Sequence, residues 1–219
     1  MFVNIHTHRK PQLSDEICIR NAYLHPPKNT EIQYLLSVGL HPWFASKMEE
    51  KNWVQTLQNS SKIKGCAAIG EIGLDENYPN MQQQIKAFHI QVEWAQEQKM
   101  PILIHQVKAL SEMQLILKNF TQPIVLHGYN GAIEKWKQLN FYNNTFASFG
   151  KNIFNPSKKL IHCIQTIPLN RVFLETDQSN ISIQKIYEQF ALIRSEPIAL
   201  ISNQMQLNFE SVFGKQKFK

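Results

Sequence analysis

The residues able to do chemistry in this chain are histidines and carboxylates that close short apolar runs. Residues 2–5 lead into His6-Thr7-His8, and the run at 34–40 closes on Gly39-Leu40-His41-Pro42. The run at 65–72 carries Gly70-Glu71-Ile72-Gly73-Leu74-Asp75. Residues 102–104 end in His105, 124–126 in His127, and 172–174 in Glu175-Thr176-Asp177. His6 and His8 are two positions apart, so on an extended strand both imidazoles point to one side and reach one cation. Glu71, His105, His127 and Asp177 would complete a mixed nitrogen and oxygen set, which suits zinc, manganese and similar ions. Six candidates exceed the roughly four ligands of a closed zinc site. The excess argues for two divalent ions sharing a carboxylate, with positions open to water and substrate.

Any one of these residues alone reads more simply as a hydrogen-bonded structural group or a helix cap. Together they resist that reading, because burying many titratable groups without a cation leaves costly unpaired polar atoms. His25 and His162 match no strand end, and His89 falls inside a helical pattern, so these three read as structural.

The elements that must position the site follow from the hydrophobic pattern. Apolar runs at 2–5, 34–40, 65–72, 102–104, 124–126, 145–149 and 172–174 are mostly continuous, as in buried parallel strands. Amphipathic stretches at 48–58, 82–98, 109–119, 132–139, 156–166, 182–194 and 198–213 separate or follow them. This alternation predicts an α/β protein, a compact TIM-type (β/α) barrel with seven or eight parallel strands. Seven strands are visible, and an eighth is not. In such a barrel the C-terminal strand ends share one face, where active sites sit. No linker or composition shift divides the chain, so residues 1–219 read as a single barrel domain, which the ligand set above would make a metal-dependent hydrolase.

A net charge of +6 favours polyanionic partners such as nucleic acid. Three widely spaced cysteines, Cys18, Cys66 and Cys163, do not make a disulfide framework and point to a reducing compartment. No window approaches the apolar length of a membrane span and no leader pattern is present, so the expected location is cytoplasmic. A monomer without membrane contact or an obligate protein partner is expected.

The ordered set His-x-His, Gly-x-His-Pro, Gly-Glu-Ile-Gly-Leu-Asp, strand-His, strand-His and Glu-Thr-Asp resembles the TatD-related deoxyribonuclease family of metal-dependent hydrolases. The likeness runs from about Val3 to Asp177, and Gln83, Phe88 and Ala95 in the following helix also fit it. It implies that His6 and His8 hold one metal with Asp177 and Glu71. Glu71 would bridge to a second metal held by His105 and His127, and His41 would lie near the substrate phosphate. The implied cofactors are two divalent ions (magnesium, manganese or zinc), and the implied substrate is DNA. The chain departs from the family at Asn4, where Asp is usual, and at Val107, where an arginine follows the fourth-strand histidine. It departs again at Gly128-Tyr129-Asn130-Gly131 and at Gln178-Ser179-Asn180.

The expected reaction is metal-assisted hydrolysis of a DNA phosphodiester. Asp177 would serve as general base, Glu71 would set the metal spacing, and Lys108 or His41 would steady the phosphate. Two alternatives stay open: a hydrolase of a small ester, lactone or phosphorylated metabolite, and a non-catalytic metal-binding scaffold.

Overall fold

Each apolar run is a strand and each amphipathic stretch a helix. The structure, a computed structural model, describes residues 1–11, 13–26, 34–140 and 143–215. Its strands are β1 (Phe2–Thr7), β2 (Glu16–Asn21), β3 (Leu35–Val38), β4 (Cys66–Asp75), β5 (Ile102–Val107), β6 (Ile124–Leu126), β7 (Thr145–Phe149) and β8 (Val172–Leu174). Its helices are α1 (Glu50–Ser60), α2 (Met81–Glu97), α3 (Leu110–Leu117), α4 (Ile133–Leu139), α5 (Lys158–Thr166), α6 (Ile183–Arg194) and α7 (Ile198–Phe213). The strands form one sheet in chain order, which is the topology of the expected (β/α) barrel.

The eighth strand, invisible in the sequence, is β2. Its residues Glu-Ile-Cys-Ile-Arg-Asn begin and end polar, so no continuous apolar run marks it. Its middle is nevertheless buried, and it pairs parallel with β1, Asn4 facing Cys18 in register.

Two compact units are separable, Met1–Arg20 with His127–Lys219, and Asn21–Leu126. In the first, β1 and β2 join β7, β8 and α4–α7 around Ile5, Ile19, Phe149, Phe173, Phe190 and Phe209, all buried. Tyr187 on α6 is fully buried; its hydroxyl donates to the Val3 carbonyl and accepts from the Val3 N–H, both at 3.0 Å. Thr7 bridges to Asp177, so the end of β1 is stitched to the segment leaving β8.

In the second unit, β3 pairs with β4, β4 with β5, and β5 with β6, all parallel. Helix α2 covers β4 with Phe88, Val92 and Ala95 buried. Two buried glutamines on this helix, Gln84 and Gln91, face strand ends rather than solvent. The Gln91 amide accepts from the Leu40 N–H (2.6 Å) and donates to the Leu40 carbonyl (3.1 Å). The Gln84 amide does the same for Asp75, at 2.8 and 3.1 Å. Unpaired strand-end backbone groups would be costly when buried, and these glutamines satisfy them while fixing the segments that carry His41 and Asp75.

Candidate metal centre

In the first unit His6, His8, His127 and Asp177 come together. His6 and His8 project to the same side of β1, as their spacing predicts. The Nε2 atoms of His6 and His8 lie 3.6 and 3.3 Å from Asp177 Oδ1. Two backbone bonds hold this arrangement: His8 N–H donates to the Asp177 carbonyl (3.2 Å), and Asp177 N–H to the His6 carbonyl (3.0 Å). The His127 ring stands 4.5 Å from that of His6, centroid to centroid. Its Nδ1 faces Glu175 Oε1 at 3.2 Å, and the same oxygen accepts from the Gly128 N–H at 2.9 Å. Glu175 thus orients the imidazole from behind, the usual arrangement for a metal-ligating histidine.

The donor set fits a cation. Ligands about 2.1 Å from a metal stand roughly 3.0–3.4 Å from one another. The nitrogen-to-oxygen separations at Asp177 are close to that range. Burial pushes the Asp177 carboxyl up, but bonds from His6 and His8, with the charge of His6 and His127, outweigh it and hold it well below the usual carboxylate range. It is therefore an anion at neutral pH, as a ligand must be.

In the second unit Glu71, His41 and His105 come together. Glu71 is buried; its Oε2 accepts from the Asn21 amide at 3.1 Å, and its Oε1 lies 3.1 Å from both His41 Nε2 and His105 Nδ1. His41 Nδ1 accepts from the Trp43 N–H (3.2 Å), so the ring proton sits on Nε2 and points at Glu71. His105 Nε2 faces Asp75 Oδ2 at 3.2 Å. A neutral imidazole donates from only one nitrogen, yet both of its nitrogens face carboxylate oxygens. One ligand atom from each of His41, Glu71 and His105 lies within 4.8 Å of the others, so this set also could hold a metal.

Asp75 accepts from the Trp43 indole N–H at 2.8 Å and from the Asn77 N–H at 2.9 Å. Burial raises its carboxyl, but the bonds from Trp43 and His105 prevail and lower it. Gly73 explains part of the motif between Glu71 and Asp75. Its φ is +143°, and a Cβ there would lie 2.0 Å from the His105 carbonyl oxygen. Only glycine lets β4 pass this close to the backbone of His105 itself.

Lys108 lies at the exposed end of β5, its ammonium donating to Asn77 Oδ1 at 3.2 Å. His89 and His162, read as structural, lie on exposed helix faces beside Glu93 and Thr166. Asn4 is buried beneath the first cluster. Its amide donates to Glu16 Oε1 (2.8 Å) and Thr176 Oγ1 (3.0 Å), and its carbonyl accepts from the Thr176 N–H (3.0 Å).

Asp75, Glu175, Gln84 and Gln91 bond to the candidate ligands or to the strand-end backbone beside them, which strand-end reading did not single out. The parity that pairs His6 with His8 also aligns Glu71, Gly73 and Asp75, and could have flagged Asp75.

A barrel whose strand ends carry histidine and carboxylate sets at metal-ligand spacing belongs among the metal-binding (β/α) barrels. Residues 27–214 match the family model described as TatD related DNase, and the chain belongs to that family. It is 32% identical over 152 residues to the uncharacterized metal-dependent hydrolase YabD of Bacillus subtilis, a stretch covering 64% of this chain and 57% of YabD. The uncharacterized metal-dependent hydrolase BU355 of Buchnera aphidicola is 33% identical over 196 residues, 80% of this chain and 70% of that one. The 3′-5′ ssDNA/RNA exonuclease TatD of Erwinia amylovora is 26% identical over 201 residues, 81% and 77% of the two chains. The crystal structure of YJJV, a TatD homolog from Escherichia coli, matches the fold with a TM-score of 0.84 at 21% identity, over 98% of both chains.

Proposed function

We propose that this family member, a metal-dependent hydrolase, cleaves phosphodiester bonds of DNA at a two-metal centre formed by its strand-end ligands. The observation that carries the reading is the approach of His6 and His8 to one oxygen of an ionised Asp177, at separations suited to a shared cation. Relatives named as a 3′-5′ ssDNA/RNA exonuclease and as a 3′-5′ RNA nuclease support a nucleic-acid substrate. The net charge of +6 suits a polyanion.

In this reading His6, His8 and Asp177 would hold one ion, His105 and His127 would hold a second, and Glu71 would serve both. When bound, two divalent ions (magnesium, manganese or zinc) neutralise the phosphoryl oxygens and make a water acidic near neutral pH. Asp177, anionic and partly open to solvent, receives the proton of the attacking water. Glu175 keeps His127 turned toward the centre, and Asp75 does the same for His105. His41, from its place beside Glu71, and Lys108 steady the scissile phosphate. Residues 1–219 act as one catalytic domain, monomeric, without a membrane or obligate protein partner. Among the described residues no helix is long and apolar enough to cross a membrane. None of the three cysteines forms a disulfide, which supports a cytoplasmic location.

The test is DNA hydrolysis with added Mg²⁺ or Mn²⁺, by the parent protein and by Glu71→Ala. The parent is expected to cleave and the variant to lose almost all activity; equal activity in both ends the mechanism. A panel of small esters, lactones and phosphorylated metabolites runs beside it, and turnover there with DNA untouched would replace the nuclease reading.

A further inference from the structure

Beside the second ligand cluster lies a cavity of about 420 Å³, lined among others by Tyr23, Leu24, His41, Phe44, Lys47 and Met48. Pockets for small organic groups start at roughly 300 Å³. Most of the lining is apolar or aromatic, and the polar groups are few. Phe44 remains 38% exposed, with its ring 6.2 Å from Tyr23 in an edge-to-face arrangement. The His41 ring is 6.2 Å from Phe44 and donates to Glu71, so one imidazole borders both the cavity and the ligand cluster. The Lys47 ammonium stands 5.2 Å from the Phe44 centroid, over the ring and at the cavity wall.

We propose that this cavity is a nucleobase subsite, taking one unstacked base of the nucleotide whose phosphate lies at the His41 and Glu71 edge. The proposal rests on the nuclease reading and deepens it. An apolar slot with an exposed aromatic ring suits a planar π-face of any sequence, the recurring device for single-stranded nucleic acid. The lysine at the wall supplies the charge that a neighbouring phosphate needs. An acyl chain would fill the slot equally well but would leave Lys47 without an anion to meet.

The experiment compares thymidine 5′-monophosphate with 2-deoxyribose 5-phosphate, which lacks the base, by calorimetry on the full-length protein with Mn²⁺. The mononucleotide should bind about 5- to 150-fold more tightly, the range for one base stacked on an aromatic side chain. Phe44→Ala should lose that preference and Phe44→Trp should retain it. Far-ultraviolet circular dichroism and the melting temperature check that both variants are folded. Equal affinity for the two ligands, binding of neither, or a preference unchanged in Phe44→Ala overturns the subsite. A base preference in a protein that hydrolyses no nucleic acid would sink the nuclease reading instead and leave the subsite standing.

Discussion

Asn4→Asp places at this position the residue usual in the family, and the structure predicts that here it is harmful. Asn4 is buried, with its amide donating to Glu16 Oε1 at 2.8 Å and Thr176 Oγ1 at 3.0 Å. Aspartate keeps the acceptor that receives the Thr176 N–H and loses both donors. Losing a bond to a charged acceptor and one to a neutral acceptor removes about 2–4 kcal/mol. The new carboxylate also faces Glu16. At an effective dielectric of about 20, two unit charges roughly 3 Å apart repel by about 5 kcal/mol, so the variant pair retains a proton instead. A proton restores a donor, and holding it costs about 1.4 kcal/mol for each pH unit above the ordinary carboxylate value near 4. The raised folded-state value fixes the sign. The penalty is small near pH 5, grows as pH rises, and levels off once the pair ionises. Stability by urea unfolding should therefore fall by about 1–2 kcal/mol at pH 5 and about 3–5 kcal/mol at pH 8. Adding Glu16→Gln, which supplies an amide donor opposite the new carboxylate, should recover most of the loss at pH 8. A variant within about 0.5 kcal/mol of the parent at pH 8, or a loss independent of pH, would refute this account of the Asn4–Glu16 pair.

Glu175→Ala should leave His127 without its orienting acceptor and weaken Mn²⁺ or Zn²⁺ binding by about 10- to 100-fold in a calorimetric titration, with the fold retained. Gly73→Ala must move β4 away from the His105 carbonyl; a loss of at least about 2 kcal/mol in unfolding and reduced metal content by elemental analysis are expected. Burial pushes the thiols of Cys18, Cys66 and Cys163 up to about 12, so at pH 8 the native protein should react with a disulfide reagent roughly a thousandfold more slowly than an ordinary thiol, and all three should react at once after unfolding.

The strand ends that carry the candidate ligands were legible because β5, β6 and β8 are apolar up to the candidate residue and β1 is interrupted only at Asn4. Helices α1 to α7 were legible for the same reason, since each carries one apolar stripe that a core must cover. The polar-ended β2 was not: its burial depends on neighbours that no local pattern reveals. The partners of the ligands were harder still. Glu175 and Asp75 stood in plain view within quoted motifs, but their work is to hold another residue's ring, which only tertiary geometry displays. Gln84 and Gln91 interrupt the apolar face of α2 and look like defects in its periodicity. They are buried because they feed hydrogen bonds to the strand-end backbone beside His41 and Asp75. The departure at Asn4 likewise gained meaning only when Glu16 appeared next to it.

The stitching of β1 to the segment after β8 has a consequence during synthesis. His6 and His8 are made long before Asp177, whose carboxylate faces both of them, and Tyr187, which clasps Val3, follows later still. Until Asp177 is made, the two histidines lack that carboxylate and β1 lacks the bridge from Thr7 to it. Domains of this kind complete their long-range pairings last. A truncated or stalled nascent chain ending before Asp177 would thus be unable to assemble this set of ligands, so metal capture would report on whether synthesis has passed that point.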